Sequence, residues 1–284
     1  MNSPAPGVVL FAAIFWATGA IADSSGRGGE PAPVERIRFD SLQGMPIIQV
    51  QLRNGSPTSF VLDTGARPCV LDATYARQLD LPITTRRTGQ GGAGIFSADV
   101  ISGPLTLGIE RRELRCEETL STDLTGVSNT IQRKIDGIIG GDFFRGWIVV
   151  IDYDAQVIEV HDRTSYHYRG AGSRVPIEVK GNRPYVLARL SVAGRENVAR
   201  SLLIDTGSQD WIADSLLKES TEQLKNARGS GLGPGFDTRS GTFSRVVIGP
   251  PNSPMFRGSF QRLPSSARDC SANSTWFSTT TVDG

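Results

Sequence analysis

One pattern occurs twice in this chain and limits what the chain can fold into. The first copy is Phe60-Val61-Leu62-Asp63-Thr64-Gly65-Ala66-Arg67-Pro68-Cys69-Val70-Leu71-Asp72. The second is Leu202-Leu203-Ile204-Asp205-Thr206-Gly207-Ser208-Gln209-Asp210-Trp211-Ile212-Ala213-Asp214, 142 positions further on. Each apolar run reads as a buried strand, and the glycine allows a sharp turn at its end. A carboxylate delivered at the mouth of a buried strand has few solvating neighbours, so its natural partner is the other copy. Two carboxyl groups face to face do not both ionise readily; one keeps its proton and the other becomes a base. Such a pair can hold a water, deprotonate it and protonate a leaving group. The threonine hydroxyls can bond the facing loop, and the glycine N–H groups can bond the carboxylates. Taken singly, Asp-Thr-Gly is only a turn. Duplication with matched flanks argues for a repeated unit instead.

On these motifs the chain resembles the pepsin-like and retropepsin-like aspartic proteases, over roughly residues 40 to 250. The resemblance implies a mainly β, two-lobed acid-protease fold, with two related β-barrel-like lobes and an active-site cleft between them. It implies an aspartic endopeptidase that hydrolyses peptide bonds through a water activated by Asp63 and Asp205. In that scheme Thr64 and Thr206 lock the two loops together, while Gly65 and Gly207 supply backbone donors. Ala66 stands where pepsin-like enzymes commonly have Ser or Thr, and so resembles the retroviral version. Ile138-Ile139-Gly140 fits the family's apolar-apolar-Gly segment, which passes behind the Asp-Thr-Gly loop and braces it. No cofactor and no metal are expected; the partner is a peptide or protein substrate, and the chain is a monomer or homodimer.

The repeat extends beyond the tripeptide. Met45 to Leu52, a turn at Asn54-Gly55 and Ser59 to Leu62 read as a hairpin that delivers Asp63. Tyr185 to Val192, a turn near Gly194 and Val198 to Ile204 echo it. Asp72 can cap a short helix from Ala73 to Leu79, and Asp214 a longer one from Ser215 to Lys225. The run Gly89-Gln90-Gly91-Gly92-Ala93-Gly94 matches G-x-G-x-x-G, but a dinucleotide site needs a strand before it and a helix after it. Here a helix precedes and Ile95 to Ile101 reads as a strand. A glycine-rich hairpin tip is expected, with Gly91, Gly92 and Gly94 as candidates for a flap over the cleft. Gly229, Gly231, Gly233 and Gly235 hold the matching place in the second copy. Leu105 to Gly108 and Val246 to Gly249 are matching strand ends.

Residues 1–22 read as a signal peptide: Val8 to Ala22 is almost wholly apolar, short for a membrane span, and Ala20-Ile21-Ala22 fits a cleavage site. The expected location is therefore exported, periplasmic or secreted, with a membrane-anchored form if the segment is not cleaved. Residues 23–39 read as a disordered spacer, 40–161 as the N-terminal lobe, 162–174 as an inter-lobe linker and 175–249 as the C-terminal lobe. A formal net charge of +1 implies no nucleic-acid or membrane-surface partner. His161 and His167, the only histidines, have no metal-ligand spacing and read as surface residues. Cys69 reads as a small buried apolar residue. A Cys69–Cys116 bridge is the other reading, and it would leave Cys270 unpaired.

The second copy departs from the first after Ile248-Gly249. A second bracing segment belongs near residue 280, yet residues 250–284 are rich in Ser, Thr and Pro without strand or helix period. They read as a disordered or aberrant tail, so the second lobe is expected to be incomplete, through truncation, frameshift or decay. An unbraced Asp205 loop would lose the alignment a dyad needs. Two alternatives follow: a non-catalytic peptide- or glycan-binding protein on the same scaffold, or a retropepsin-like homodimer that uses the first lobe alone.

Overall fold

Alternation of apolar and polar side chains sets most of the strands, and the glycines set where they turn. The structure is a computed structural model that describes residues 9–11, 32–53, 55–92, 94–168, 174–209, 212–229, 231–232 and 236–249. Asn54, Ala93, residues 169–173 of the expected linker, most of the expected leader, and the whole 250–284 tail lie outside the described residues. So does the place near residue 280 where a second brace was sought.

In chain order the elements are β1 (Val9–Phe11), β2 (Glu35–Arg38), β3 (Asp40–Leu42), β4 (Met45–Leu52), β5 (Thr58–Leu62), β6 (Cys69–Asp72) and α1 (Ala73–Gln78). Then come β7 (Ile83–Gly91), β8 (Gly94–Ile101), β9 (Leu105–Ile109), β10 (Arg112–Cys116), β11 (Thr119–Thr122), α2 (Thr125–Ile131) and β12 (Gly137–Ile139). A 3-10 turn, Gly141–Phe144, leads to β13 (Trp147–Asp152) and β14 (Val157–Asp162). The C-terminal part holds β15 (Ile177–Lys180), β16 (Arg183–Val192), β17 (Arg195–Leu203), a 3-10 turn at Ser215–Glu219, β18 (Lys225–Gly229), β19 (Phe236–Ser240) and β20 (Arg245–Ile248). The fold is mainly β, as the sequence implied.

The largest sheet runs β10-β9-β4-β5-β12-β6-β11-β8-β7, with β3 added to β4. β5, which carries Asp63 at its end, lies between β4 and β12. It pairs antiparallel with β4 and parallel with β12. Alternate residues of these strands feed two apolar clusters on opposite faces. Ile48, Val50, Phe60, Leu62, Leu71 and Ile139 go to one. Met45, Ile47, Val61, Val70 and Ile138 go to the other, under Leu124 and Ile131. A second sheet, β1-β13-β14-β2, borders the first cluster through Ile37, Val149, Ile158 and Val160. A separate cluster, built around Leu190, Leu202, Leu216 and Val246, fills the C-terminal part.

The repeat seen in the sequence recurs as topology. β4 pairs with β5 and β9; β16 pairs with β17 and β20. The β7–β8 hairpin has its counterpart in β18–β19. The two copies part company beside the acid-bearing strand. β5 has β12 on its outer side, whereas β17 has no strand there among the described residues.

Four expectations need correction. Residues 35–38, placed in a disordered spacer, form β2 against β14, because Ile37 and Phe39 alternate with arginines and are buried. The helix expected from Ser215 to Lys225 is a single 3-10 turn ending at Glu219, and Lys225 opens a strand. His161 is buried under Tyr166, with ring centroids 4.4 Å apart, and its ring bonds Glu159. Tyr166 thereby packs part of the expected linker onto β13. Cys69 is buried as read, but it is also joined to Cys116. No helix among the described residues is long and apolar enough to cross a membrane.

Candidate active site

The two Asp-Thr-Gly loops meet. Thr64 Oγ1 donates to the carbonyl of Ile204 at 2.6 Å, and Thr206 Oγ1 donates to the carbonyl of Leu62 at 2.7 Å. Each hydroxyl also accepts from the other threonine's backbone N–H, at 3.1 and 3.0 Å. The four bonds form a closed reciprocal ring, and Thr64 within it is almost wholly buried. A short side chain with both a donor and acceptors is needed at each corner, which is why threonine serves there.

Above this ring the carboxyl groups of Asp63 and Asp205 lie close enough for each to act on the other. Asp63 Oδ1 accepts from Gly65 N at 2.7 Å and Ala66 N at 3.0 Å; Asp205 Oδ1 accepts from Gly207 N at 2.9 Å. Burial raises both carboxyls above the ordinary aspartate range, Asp205 well above it because the Asp63 charge adds to the burial. The extra backbone donor on Asp63 favours its ionised form. Burial and mutual repulsion thus favour a pair that keeps a proton, with the stronger pull toward protonation on Asp205.

Both glycines are required by space. A Cβ on Gly65 would lie 2.6 Å from Asp205 Oδ2, and a Cβ on Gly207 would run into the carboxyl of Asp63. Each loop's glycine thus abuts the other loop's acid.

Ile138, Ile139 and Gly140 lie behind the first loop. Asp63 N donates to the Ile139 carbonyl at 2.9 Å, and Gly141 N donates to the Ala66 carbonyl at 3.1 Å. A Cβ at Gly140 would lie 2.8 Å from the Ala66 carbonyl carbon, so the segment passes with no room for a side chain. Asp72 anchors the far end of the loop. Its Oδ1 caps α1 by accepting from Thr74 N and Tyr75 N, and its Oδ2 accepts from Leu124 N.

Gly91, Gly92 and Gly94 stand at the tip of the β7–β8 hairpin, where Gly94 has a φ of +113° that favours glycine. A Cβ at Gly91 would strike the backbone of Leu232 at the tip of the second hairpin. Leu232 also packs on the apolar group that contains Met45, Val70 and Val127. The Phe96 ring covers Gly89, its cross-strand partner.

One neighbour of the acids escaped the sequence reading. The charge of Arg183 acts on both carboxyls and pulls against their rise. Aligning the two hairpins would have found it, because Arg183-Pro184 opens β16 as Met45-Pro46 opens β4.

Comparison with known proteins finds two likenesses. Residues 48–143 match the family model described as aspartyl protease. Among solved structures, a retropepsin-like aspartic protease from Rickettsia conorii is similar at 19% identity. That match covers 44% of this chain and 88% of that one, with a TM-score of 0.29. A search of the curated proteins finds no match. The matched residues, 48–143, hold the first Asp-Thr-Gly loop and the segment behind it.

Proposed function

We propose that the chain is an exported aspartic endopeptidase in which Asp63 and Asp205 act as one catalytic dyad. The observation that carries this is the reciprocal meeting of the two loops, which brings two acids together around one proton. Asp63, as the base, takes a proton from a water held between the carboxyls. That water attacks the scissile carbonyl carbon to give a tetrahedral diol. Asp205 donates its proton to the forming oxyanion; as the C–N bond breaks, Asp63 passes the proton it took to the leaving nitrogen, and a diol hydroxyl returns a proton to Asp205. The substrate lies between the acids and the hairpin tips at Gly91–Gly94 and Leu232. Cys69–Cys116 fits an oxidising compartment outside the cytoplasm.

Cleavage of an unstructured protein substrate, with and without pepstatin, tests the reading. Asp63→Asn and Asp205→Asn should each lower kcat by about 10³-fold or more, as expected when a member of a catalytic unit is lost. Wild-type rates in both variants would defeat the assignment. Activity that survives Asp205→Asn but not Asp63→Asn would instead favour two copies of the first Asp-Thr-Gly unit working as a homodimer.

A further inference from the structure

The hairpin between β15 and β16 turns through Gly181 and Asn182, both in the left-handed region at φ 54° and 63°. This two-residue turn with paired left-handed residues brings Lys180 opposite Arg183. It also reaches across to the N-terminal part. Arg67 Nη1 donates to the Gly181 carbonyl at 3.3 Å, and Asn182 Nδ2 donates to Asp142 Oδ1 at 3.3 Å. Arg67 follows the first Asp-Thr-Gly loop by two residues, so the turn sits at the edge of the acid pair.

Arg183 is the first residue of β16, and the register of the strands sets its place. Tyr185 stands opposite Leu203, so Arg183 stands in line with Asp205. By the same count Ile47 stands opposite Val61, and Met45 stands in line with Asp63. The equivalent position is thus an apolar, buried methionine in one copy and a guanidinium in the other. Pro184, the next residue, accepts from Ile204 N through its carbonyl at 2.8 Å, which fixes the strand against the Asp205 loop.

The guanidinium has no carboxylate of its own. Arg183 Nε is buried without a hydrogen-bond partner, and no ion pair involves Arg183 or Arg67 among the described residues. A buried donor left unmatched is costly, and a cation more so. The shared negative charge of the two acids offsets part of that cost, since Arg183 is close enough to act on both. Its hydrogen-bonding capacity is left over. A substrate chain threaded past the acids would pass it, and exposed Arg67 reaches the turn that leads into Arg183.

We infer that Arg183, assisted by Arg67, forms a subsite for a carboxylate side chain of the substrate, so that the enzyme favours peptides with Glu or Asp close to the scissile bond. The inference rests on the proposed peptidase reading. A planar guanidinium with free donors matches a carboxylate in two parallel bonds, which a glutamine side chain cannot reproduce.

The test uses the full chain and a fluorogenic peptide series in which Glu or Gln occupies each of the two positions on either side of the cleaved bond. At about pH 6 the glutamate is ionised. At one position the Glu peptide should show kcat/KM about tenfold or more above its Gln counterpart, in line with a charge-assisted pair. Arg183→Gln should bring that ratio to about one, Arg183→Lys should keep part of it, and Arg67→Gln should lower it less. Because the readout is a ratio within each variant, a general fall in activity does not imitate the result. Should Arg183→Gln fold poorly, the wild-type ratio measured from low to about 0.5 M salt still decides, since a paired charge at a cleft edge loses strength on screening. Cleavage of the whole series without acid preference, or a preference that persists in Arg183→Gln, would overturn the subsite and leave the peptidase reading standing. No cleavage of any peptide by the folded wild type would overturn both.

Discussion

At the scale of single residues, the acids and the threonines under them behave differently on substitution. Folding raises the affinity of Asp205 for its proton. Between the ordinary aspartate value of 3.8 and the raised one, the native state holds a proton that the unfolded state has lost. Stability therefore falls as pH rises through that window, and the deficit is complete above it. Asp205→Asn removes the titrating group while keeping an acceptor for Gly207 N. The variant should melt higher than the wild type at pH 7, by about 2–4 °C for each kcal/mol relieved, and the advantage should vanish below pH 3.8. Thermal unfolding of both proteins across that range checks it; a wild type that is the more stable at pH 7 would contradict the burial argument. Thr64 has the opposite sign. Thr64→Val strips the donor from Ile204 O and the acceptor from Thr206 N in a buried place, a loss of about 2–5 kcal/mol from two unmatched groups. Thr64→Ser keeps both bonds and should cost about 1 kcal/mol, as a lost methyl does. Urea unfolding of the pair separates the bonds from the packing.

At the scale of elements, the segment behind Asp63 controls alignment rather than chemistry. Gly140→Ala would push on the Ala66 carbonyl and displace the loop that holds Asp63. Its expected effect is a fall of about 10²-fold in kcat with a smaller change in KM, since a misplacement of about 1 Å is enough for that loss. Steady-state kinetics on one peptide distinguish this from a binding defect, which would raise KM alone. Asp72 belongs to the same class. Asp72→Ala removes a helix cap and the acceptor for Leu124 N, with a predicted cost of about 2–4 kcal/mol by urea unfolding. The elements best read from sequence were those with local signals. The strands into each acid alternate or run apolar, Asp72 announces a cap, and the glycines at 89–94 mark a hairpin tip. The turn at 215–219 was misread because Leu216, Leu217 and Leu224 suit a helix face, while the tertiary context takes residues from Lys225 into a strand. β2 was missed because four residues between Pro33 and Asp40 give too short a period to outweigh the polar surroundings. Arg183 was missed because its meaning lies in register: nothing near it in the chain resembles a site, and only the alignment of β16 with β4 puts it beside an acid.

At the scale of the whole molecule, two sets of bonds act over long separations. The Cys69–Cys116 bridge joins the strand after the Asp63 loop to β10 across 47 residues, inside the largest apolar cluster. Loop closure of that length is worth up to about 4 kcal/mol. Cys69→Ser with Cys116→Ser should lower the urea unfolding free energy by about 2–4 kcal/mol, and a reductant should destabilise the wild type alone. The second set is the threonine ring, whose partners lie some 142 residues apart. Ribosomal synthesis gives that spacing a temporal meaning. The first Asp-Thr-Gly loop leaves the tunnel long before its counterpart exists, with a lone acid that can only titrate like any other. Under the proposed function, hydrolytic power would thus be withheld from partial products of translation and would arrive when the last corner of the ring closes.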